Sequence, residues 1–114
     1  MIIAVDFDGT VVDHDFPNIG ENVPGAVEAL QRLQLAGHQI VLFTMRSGEY
    51  LEDAIEWFNR HGITLHGVNK EPEQAKWTSS PKAYAHVYVD DSAIGVPLKV
   101  VPRFNRSVVD WPRV

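Results

Sequence analysis

Two carboxylates separated by one residue follow the first apolar stretch of the chain. They are its clearest candidates for residues that carry out chemistry. Asp6 and Asp8 come directly after the apolar residues 2–5, and Gly9 and Thr10 come next. Side chains two positions apart in a strand share a face, and two like charges held close together are costly unless a cation neutralises them. Gly9 allows a sharp turn or the close approach of a ligand to the backbone. This pattern predicts a site for a hard cation and an anion.

Polar side chains also end two later apolar stretches. Thr44 follows the second stretch, and Asp90 and Asp91 follow the last one. In open sheets of parallel strands, ligands bind beyond the carboxyl ends of the strands. We therefore expect these three residues to lie beside the first pair of aspartates.

The elements that position these residues alternate between strand and helix. Uninterrupted apolar runs predict buried strands, and apolar residues at helical spacing followed by a glycine predict helices. The predicted order is strand 2–5, a loop or flap at 14–23, helix 24–37, strand 39–43, a helix from Leu51 to Gly62, strand 63–68 and strand 86–89. This alternation predicts an α/β fold with one domain over 1–114, a parallel sheet and helices on both of its faces.

Two further segments carry weaker patterns. Residues 69–81 are polar and rich in turn formers, with room for one short helix near 73–77. The tail from Gly95 onward contains three prolines. We expect this tail to be mostly irregular and solvated, with one edge strand at 98–101.

The composition narrows the class of protein. A chain of 114 residues with 45% apolar residues is enough for one core, and a net charge of −5 argues against a broad nucleic-acid surface or capture by anionic membranes. The absence of cysteine excludes disulfides, thiolate nucleophiles and cysteine–zinc sites. No apolar run approaches the ~20 residues of a membrane span, and no basic region precedes the first apolar stretch. We therefore expect a soluble cytoplasmic protein.

Taken in order, four short motifs resemble those of the haloacid dehalogenase (HAD) superfamily. They are DFDGT at 6–10, LFT at 42–44, a lysine at 82 and VDD at 89–91. Enzymes of that superfamily are mostly Mg²⁺-dependent phosphate-monoester hydrolases with a three-layer, Rossmann-like fold. The likeness covers residues 1–92 and is to the small type without a cap domain, because the predicted elements fill the segments between the motifs.

The resemblance implies a role for each motif carboxylate. Asp6 would be the nucleophile and would form an aspartyl-phosphate intermediate, since an ionised carboxylate needs no base to activate it. Asp8 would protonate the leaving oxygen and would then act as base for the hydrolytic water. Mg²⁺ would be held by oxygen atoms of Asp6, Asp8 (through its backbone carbonyl), Asp90 and Asp91. Which of Asp90 and Asp91 contacts the metal directly stays open.

The resemblance also implies contacts to the phosphoryl group. Thr44 would donate a hydrogen bond to one phosphoryl oxygen, and Asp8, Gly9 and Arg46 are further candidates for binding that group. Arg46 follows Thr44 closely enough to reach the phosphate or its leaving group.

One lysine would neutralise the nucleophile and the transferring phosphoryl group. Lys82 fits best, because it precedes the last predicted strand and stands eight residues before the acidic pair that ends it. Lys70 and Lys76 are the rivals for this role.

Other functions fit parts of the same pattern. Phosphoryl transfer to an acceptor other than water would use the same residues, and a non-catalytic binding domain would keep only the fold. A receiver domain also clusters acids, a threonine and a lysine. Without a cap, the site is expected to be open. The substrate would then be a phosphorylated macromolecule, such as a polynucleotide end or a protein, or else a small sugar or nucleotide phosphate covered by a neighbouring subunit.

Overall fold

Four parallel strands form a sheet in the order third, second, first, fourth, in a computed structural model that describes residues 1–114. The strands are β1 (Ile2–Val5), β2 (Gln39–Leu42), β3 (Leu65–Val68) and β4 (Val87–Val89), and the helices are α1 (Ala26–Leu35) and α2 (Gly48–Arg60). An antiparallel pair joins β5 (Leu98–Lys99) to β6 (Val108–Val109), and short 3₁₀ turns cover Gln74–Lys76 and Trp111–Arg113. Neither α-helix combines the length and the apolarity needed to cross a lipid bilayer. The predicted α/β architecture and parallel sheet are confirmed.

The central position of β1 sets where the first pair of aspartates lies. β1 pairs in parallel with β2 on one side and with β4 on the other. The ladder continues past the strand ends, since Asp6 N–H donates to the Val89 carbonyl at 3.0 Å and Phe43 N–H donates to the Val5 carbonyl at 2.9 Å. The residues that follow β1, β2 and β4 therefore emerge together at one edge of the sheet.

One face of the sheet shares a single core with both helices. Phe7, just after β1, packs against Trp57 and Phe58 of α2, with ring centroids 5.7 and 6.1 Å apart. The sheet and helix residues of this core are Ile3, Val5, Ile40, Leu42, Ala26, Leu30, Ala54, Trp57 and Phe58. Removing this apolar surface from water is the main force that holds the helices on the sheet.

The second face of the sheet is covered by the segment that follows β3. Glu71 and Gln74 of this segment are buried, and Glu71 Oε1 lies 2.7 Å from Nε2 of His66 in β3. A Cβ added to Gly67 would lie 2.2 Å from a backbone oxygen of the same segment. The helix expected on this face is thus represented only by the 3₁₀ turn at 74–76.

The predicted flap folds back on the loop that follows β1. Asp13 N–H donates to the Glu21 carbonyl at 2.8 Å, and Val23 N–H donates to the Val11 carbonyl at 2.9 Å. Glu21 also forms an ion pair with Arg103 of the tail, with oxygen and nitrogen 2.5 Å apart. The flap is therefore tied both to the first loop and to the tail.

The tail packs against the loop after β1, so the prediction of a solvated tail is wrong for its buried residues, although its three arginines, Arg103, Arg106 and Arg113, are exposed. Val108, Val109 and Trp111 are buried. Val109 N–H donates to the Gly9 carbonyl at 3.1 Å, and the Trp111 indole N–H donates to the Thr10 carbonyl at 2.7 Å. The buried run in β6 has only two residues, which is too short to predict a strand from periodicity.

Replacement of Trp111 by Phe should destabilise the protein by about 1–3 kcal/mol, because it leaves the Thr10 carbonyl without its donor inside the protein. Urea unfolding followed by circular dichroism measures this change. Trp77→Phe is the matched control, because Trp77 is 63% exposed and should shift the free energy of unfolding by less than about 0.5 kcal/mol. Equal effects of the two substitutions would contradict the role given to the Trp111 hydrogen bond.

Candidate active site

Three carboxylates meet at the carboxyl edge of the sheet. Asp6 follows β1, and Asp90 and Asp91 follow the neighbouring β4. One carboxylate oxygen from each residue lies within 4.8 Å of the others, and all three residues are partly buried. The structure thus brings together the acidic residues that the sequence predicted to be neighbours.

The hydroxyl of Thr10 joins two members of this cluster. Its Oγ1 donates to Asp6 Oδ2 at 2.9 Å and accepts a hydrogen bond from Asp91 N–H at 3.1 Å. Thr10 is completely buried. The sequence predicts no role for this residue beyond its place in the first motif, whereas in the structure it links the first and last motifs.

The acidic surroundings change the protonation of Asp6. Burial raises the pKa of the Asp6 carboxyl to about 8 from an ordinary 3.8, and a hydrogen bond with Asp91 and the charge of Asp90 act in the same direction. The Thr10 hydroxyl partly opposes this rise by donating to the carboxylate. A bound cation would oppose it as well, because a nearby positive charge favours the ionised form.

A small cleft of about 130 Å³ opens beside the cluster, lined by Asp6, Phe43, Thr44, Met45 and Asp90. Thr44 N–H donates to Asn69 Oδ1 at 2.8 Å, and Thr44 Oγ1 accepts from the backbone N–H two residues later at 3.1 Å. The Thr44 hydroxyl hydrogen is therefore free to donate to a ligand. The backbone N–H groups of residues 7, 8 and 45 donate no hydrogen bond within the protein. Free N–H donors can bind an anion, and the neighbouring carboxylates can bind the cation that accompanies it.

Asp8 is held by a buried guanidinium. Arg46 Nε and Nη2 donate to the two carboxylate oxygens of Asp8 at 2.8 and 2.7 Å. The side chain of Arg46 is 1% exposed, and that of Asp8 is 22% exposed. The bidentate pair fixes the direction of the Asp8 carboxylate, because the planar guanidinium fork matches both oxygens.

The remaining N–H groups of Arg46 donate to backbone carbonyl oxygens. Nη1 donates to the carbonyls of Pro17 and Tyr50 at 3.2 and 3.3 Å, and Nη2 donates to the Asn18 carbonyl at 2.7 Å. Phe16 of the flap also lies over the guanidinium, 5.1 Å from its carbon atom. In this structure Arg46 therefore binds Asp8 and the flap, and it has no N–H left for a phosphoryl oxygen.

Gly9 serves close packing rather than phosphate binding in this structure. Its N–H donates to the Val12 carbonyl at 2.7 Å, so that donor is not available to a ligand. Its φ is +85°, and an added Cβ would lie 2.3 Å from the His14 ring and 2.7 Å from Asp91 Oδ2. The positive φ favours glycine here, and a larger residue would displace the His14 ring and the Asp91 carboxylate.

His14 approaches the cluster, although its spacing in the sequence gave no metal-ligand signal. Its Nε2 lies 3.4 Å from Asp91 Oδ2 and 3.3 Å from the Ser107 carbonyl. The tail fixes this position, because Asn105 Nδ2 donates to the His14 carbonyl at 2.7 Å. The contact of His14 with Asp91 and those with the tail join residues far apart in the sequence, so no local pattern could have predicted them.

Lys82 lies beside the cleft without contacting the carboxylates. It lines an adjacent pocket together with Asp90, and its Nζ lies 5.6 Å from the Tyr88 ring centroid. Its rival Lys76 forms an ion pair with Glu73 instead. Of the three candidate lysines, Lys82 is the one that shares a pocket wall with a motif aspartate.

Comparisons with protein-family models and with curated proteins find no match. A solved structure does match, that of a conserved protein coded by a locus from Bacteroides thetaiotaomicron. The two sequences are 45% identical, the match covers 83% of this chain and 78% of the other, and the TM-score is 0.77. The likeness is therefore one of sequence as well as of fold.

The raised pKa of Asp6 gives the metal-free protein a specific pH dependence. The folded protein keeps a proton on Asp6 that the unfolded chain releases near an ordinary pKa of 3.8. The stability that this proton contributes is complete below about pH 4 and is lost as the pH rises through about 8. Asp6→Asn removes this contribution. The free energy of unfolding of the variant should therefore increase relative to that of the parent as the pH rises. Urea unfolding with chelator from pH 5 to 9 tests this, and parallel curves for the two proteins would contradict it.

Replacement of Arg46 by Met should destabilise the protein by about 3 kcal/mol, because it leaves the Asp8 carboxylate without its partner and removes the side-chain donor to the Pro17 and Asn18 carbonyls. Chemical denaturation provides the measurement. Arg60→Met is the control, since Arg60 is exposed at the end of α2 and should change stability by less than about 0.5 kcal/mol. A loss no larger than that of the control would show that the buried pair adds nothing.

Proposed function

We propose that this chain, which belongs to the same family as the conserved protein from Bacteroides thetaiotaomicron, is a Mg²⁺-dependent phosphate-monoester hydrolase of the haloacid dehalogenase type. The observation that carries the proposal is the cleft in which Asp6 and Thr44 lie side by side, next to two further carboxylates. The cleft offers a nucleophile, hydrogen-bond donors and a cation site within one small space. Hydrolysis of a phosphate monoester needs all three.

The residues present fit a hard divalent cation. Asp6, Asp90 and Asp91 offer carboxylate oxygens within 4.8 Å of one another, and the backbone carbonyl of Asp8 accepts no hydrogen bond within the protein. Oxygen donors of this kind are those that Mg²⁺ takes. When bound, Mg²⁺ would neutralise charge on the phosphoryl oxygens and on the nucleophile.

Asp6 acts first as the nucleophile. One of its carboxylate oxygens attacks phosphorus, the bond between phosphorus and the ester oxygen breaks, and an aspartyl-phosphate forms. The free N–H groups of residues 7, 8 and 45 and the Thr44 hydroxyl bind the phosphoryl oxygens. These donors are in place before the reaction begins, so little reorganisation is needed.

Asp8 moves the protons in both steps. It gives a proton to the leaving oxygen, and it then takes one from the water that attacks the aspartyl-phosphate and releases inorganic phosphate. Both oxygens of Asp8 accept hydrogen bonds from Arg46, which suits the ionised form and hence the base role. The acid role requires Asp8 to release one oxygen from Arg46.

Lys82 completes the charge balance of the reaction. Its ammonium group shares a pocket wall with Asp90 and forms no ion pair. A lysine on a flexible stem can extend from such a position towards a dianionic group. We assign the neutralising role to Lys82 rather than to Lys70 or Lys76.

The proposal also covers the layers of the fold and the location of the protein in the cell. The segment after β3 forms the second outer layer of a three-layer, HAD-like domain, with the 3₁₀ turn at 74–76 in place of a longer helix. The flap, α1 and β2 occupy residues 11–43, and α2, β3 and the 3₁₀ turn occupy 45–81, which leaves the cleft open. A protein of this kind works in the cytoplasm.

Release of inorganic phosphate from an aryl phosphate tests the proposed reaction. The parent should release phosphate with Mg²⁺ and not with chelator. Asp6→Asn should lower the rate by about a thousandfold or more, because it removes the nucleophile, and Asp8→Asn should lower it by about 10²–10⁴-fold. Asp53→Asn on the exposed face of α2 is the control and should leave the rate unchanged.

Phosphate release by Asp6→Asn at the parent rate would overturn the assignment of the nucleophile. Folding of each variant is checked by its circular dichroism spectrum. Release that depends on an added alcohol rather than on water would indicate phosphoryl transfer instead.

A further inference from the structure

A second pocket lies directly beside the carboxylate cleft. It has a volume of about 320 Å³ and is lined by Phe43, Lys82, Tyr88, Asp90, Ser92 and Ala93. Phe43 and Asp90 also line the cleft that contains Asp6 and Thr44. Because the two spaces share these walls, a group attached to a phosphoryl in the cleft can extend into the second pocket.

Two aromatic rings form one side of this pocket. Phe43 and Tyr88 meet edge to face, with ring centroids 5.9 Å apart and ring planes at 61°. Tyr88 is 36% exposed, and its hydroxyl donates to the Ala83 carbonyl at 2.5 Å, which fixes the ring. Fixed aromatic walls of this kind favour a flat ring through edge-to-face or offset contacts.

The polar groups of the pocket argue against two other kinds of leaving group. A sugar needs several hydrogen-bond partners when it leaves water. The uncharged polar side chains in the lining are Ser92 and Tyr88, and the Tyr88 hydroxyl already donates its hydrogen to the Ala83 carbonyl. A leaving group with several phosphates needs several cations, and Lys82 is the single cation there. The volume falls at the lower end of the range for small-ligand pockets.

We infer that the leaving group of the substrate carries a flat aromatic ring that packs on Tyr88 and Phe43. The inference rests on the proposed phosphatase function and narrows its substrates to phosphate monoesters that carry such a ring. Tyr88 determines specificity here and takes no part in the proposed bond making or breaking.

Two synthetic esters test the inference. 2-Phenylethyl phosphate and ethyl phosphate both release a primary alcohol, so they differ in the ring and not in the type of leaving group. The parent should hydrolyse the ring-bearing ester with a kcat/KM about tenfold higher or more. Tyr88→Leu should lower that value by about fivefold, mainly through KM, and should lower the value for ethyl phosphate by less, because only the first ester loses its ring contact.

Two variants serve as matched controls. Tyr88→Phe keeps the ring and loses only the bond to the Ala83 carbonyl, so it should retain the preference. Tyr84→Leu removes another tyrosine of similar exposure, 37%, that does not line the pocket, and it should have no effect. Equal kcat/KM values for the two esters, or an equal loss on both in Tyr88→Leu, would overturn the inference.

Binding of two phosphonates separates this inference from the proposed function. 2-Phenylethylphosphonate and ethylphosphonate cannot be hydrolysed, and calorimetric titration with Mg²⁺ present gives their affinities. Turnover of both esters with equal kcat/KM refutes the ring site and leaves the hydrolase intact. No turnover, but tighter binding of the ring-bearing phosphonate, refutes the hydrolase and leaves the ring site intact. No turnover and equal phosphonate affinities refute both.

Discussion

The mutual repulsion of three carboxylates at the ends of two neighbouring strands is the constraint on which the rest of this structure depends. Two unit charges 4 Å apart repel by about 4 kcal/mol at the effective dielectric constant of a partly buried site. Asp6, Asp90 and Asp91 are held at this range by the backbone ladder between β1 and β4. The fully buried Thr10 hydroxyl bonds to two of them. Without a cation the repulsion is relieved by a proton, because the pKa of Asp6 is raised to about 8, and a bound cation would take the place of that proton.

A second charge arrangement, separate from the first, holds the other aspartate of the first motif. Asp8 is neutralised by Arg46 rather than by the acidic cluster, and the same guanidinium binds backbone oxygens of the flap. Breaking a buried pair of this kind leaves an uncompensated charge, which is far more costly than losing a surface pair. The two aspartates of the first motif therefore have different environments despite their spacing of two residues. Different environments are what allow two carboxylates to take different roles.

The sequence predicts the elements of the main sheet, because their patterns are local. The apolar runs at 2–5 and 39–42 and the helical spacing around Ala54 and Phe58 lead to the observed strands and helix. The meeting of Asp6 with Asp90 and Asp91 was also predictable, since parallel strands place their carboxyl ends together. The partner of Arg46 was not predictable, because its choice between Asp8 and a ligand depends on where the flap lies.

The short helix predicted near 73–77 and the edge strand predicted at 98–101 correspond to the 3₁₀ turn at 74–76 and to β5, but the burial of the tail and of the segment after β3 escaped prediction for one physical reason. β6 contains two valines, and its burial comes from contacts with a loop about 100 residues earlier, so periodicity carries no signal for it. The segment after β3 is polar in sequence, yet Glu71 and Gln74 are buried because His66 and backbone groups satisfy their side chains. Buried polar residues with satisfied partners look like surface residues in a sequence.

The hydrogen bonds from Trp111 and Val109 to the loop after β1 have a consequence for the order in which the molecule assembles. A contact between residues 10 and 111 closes nearly the whole chain into one loop, and the entropy of that closure must be overcome before the contact is formed. During synthesis the sheet can form once β4 has left the ribosome, but the loop after β1 lacks its last partners until the tail follows. The edge of the sheet that carries the carboxylate cluster thus receives its last stabilising contacts from the segment that is synthesised last.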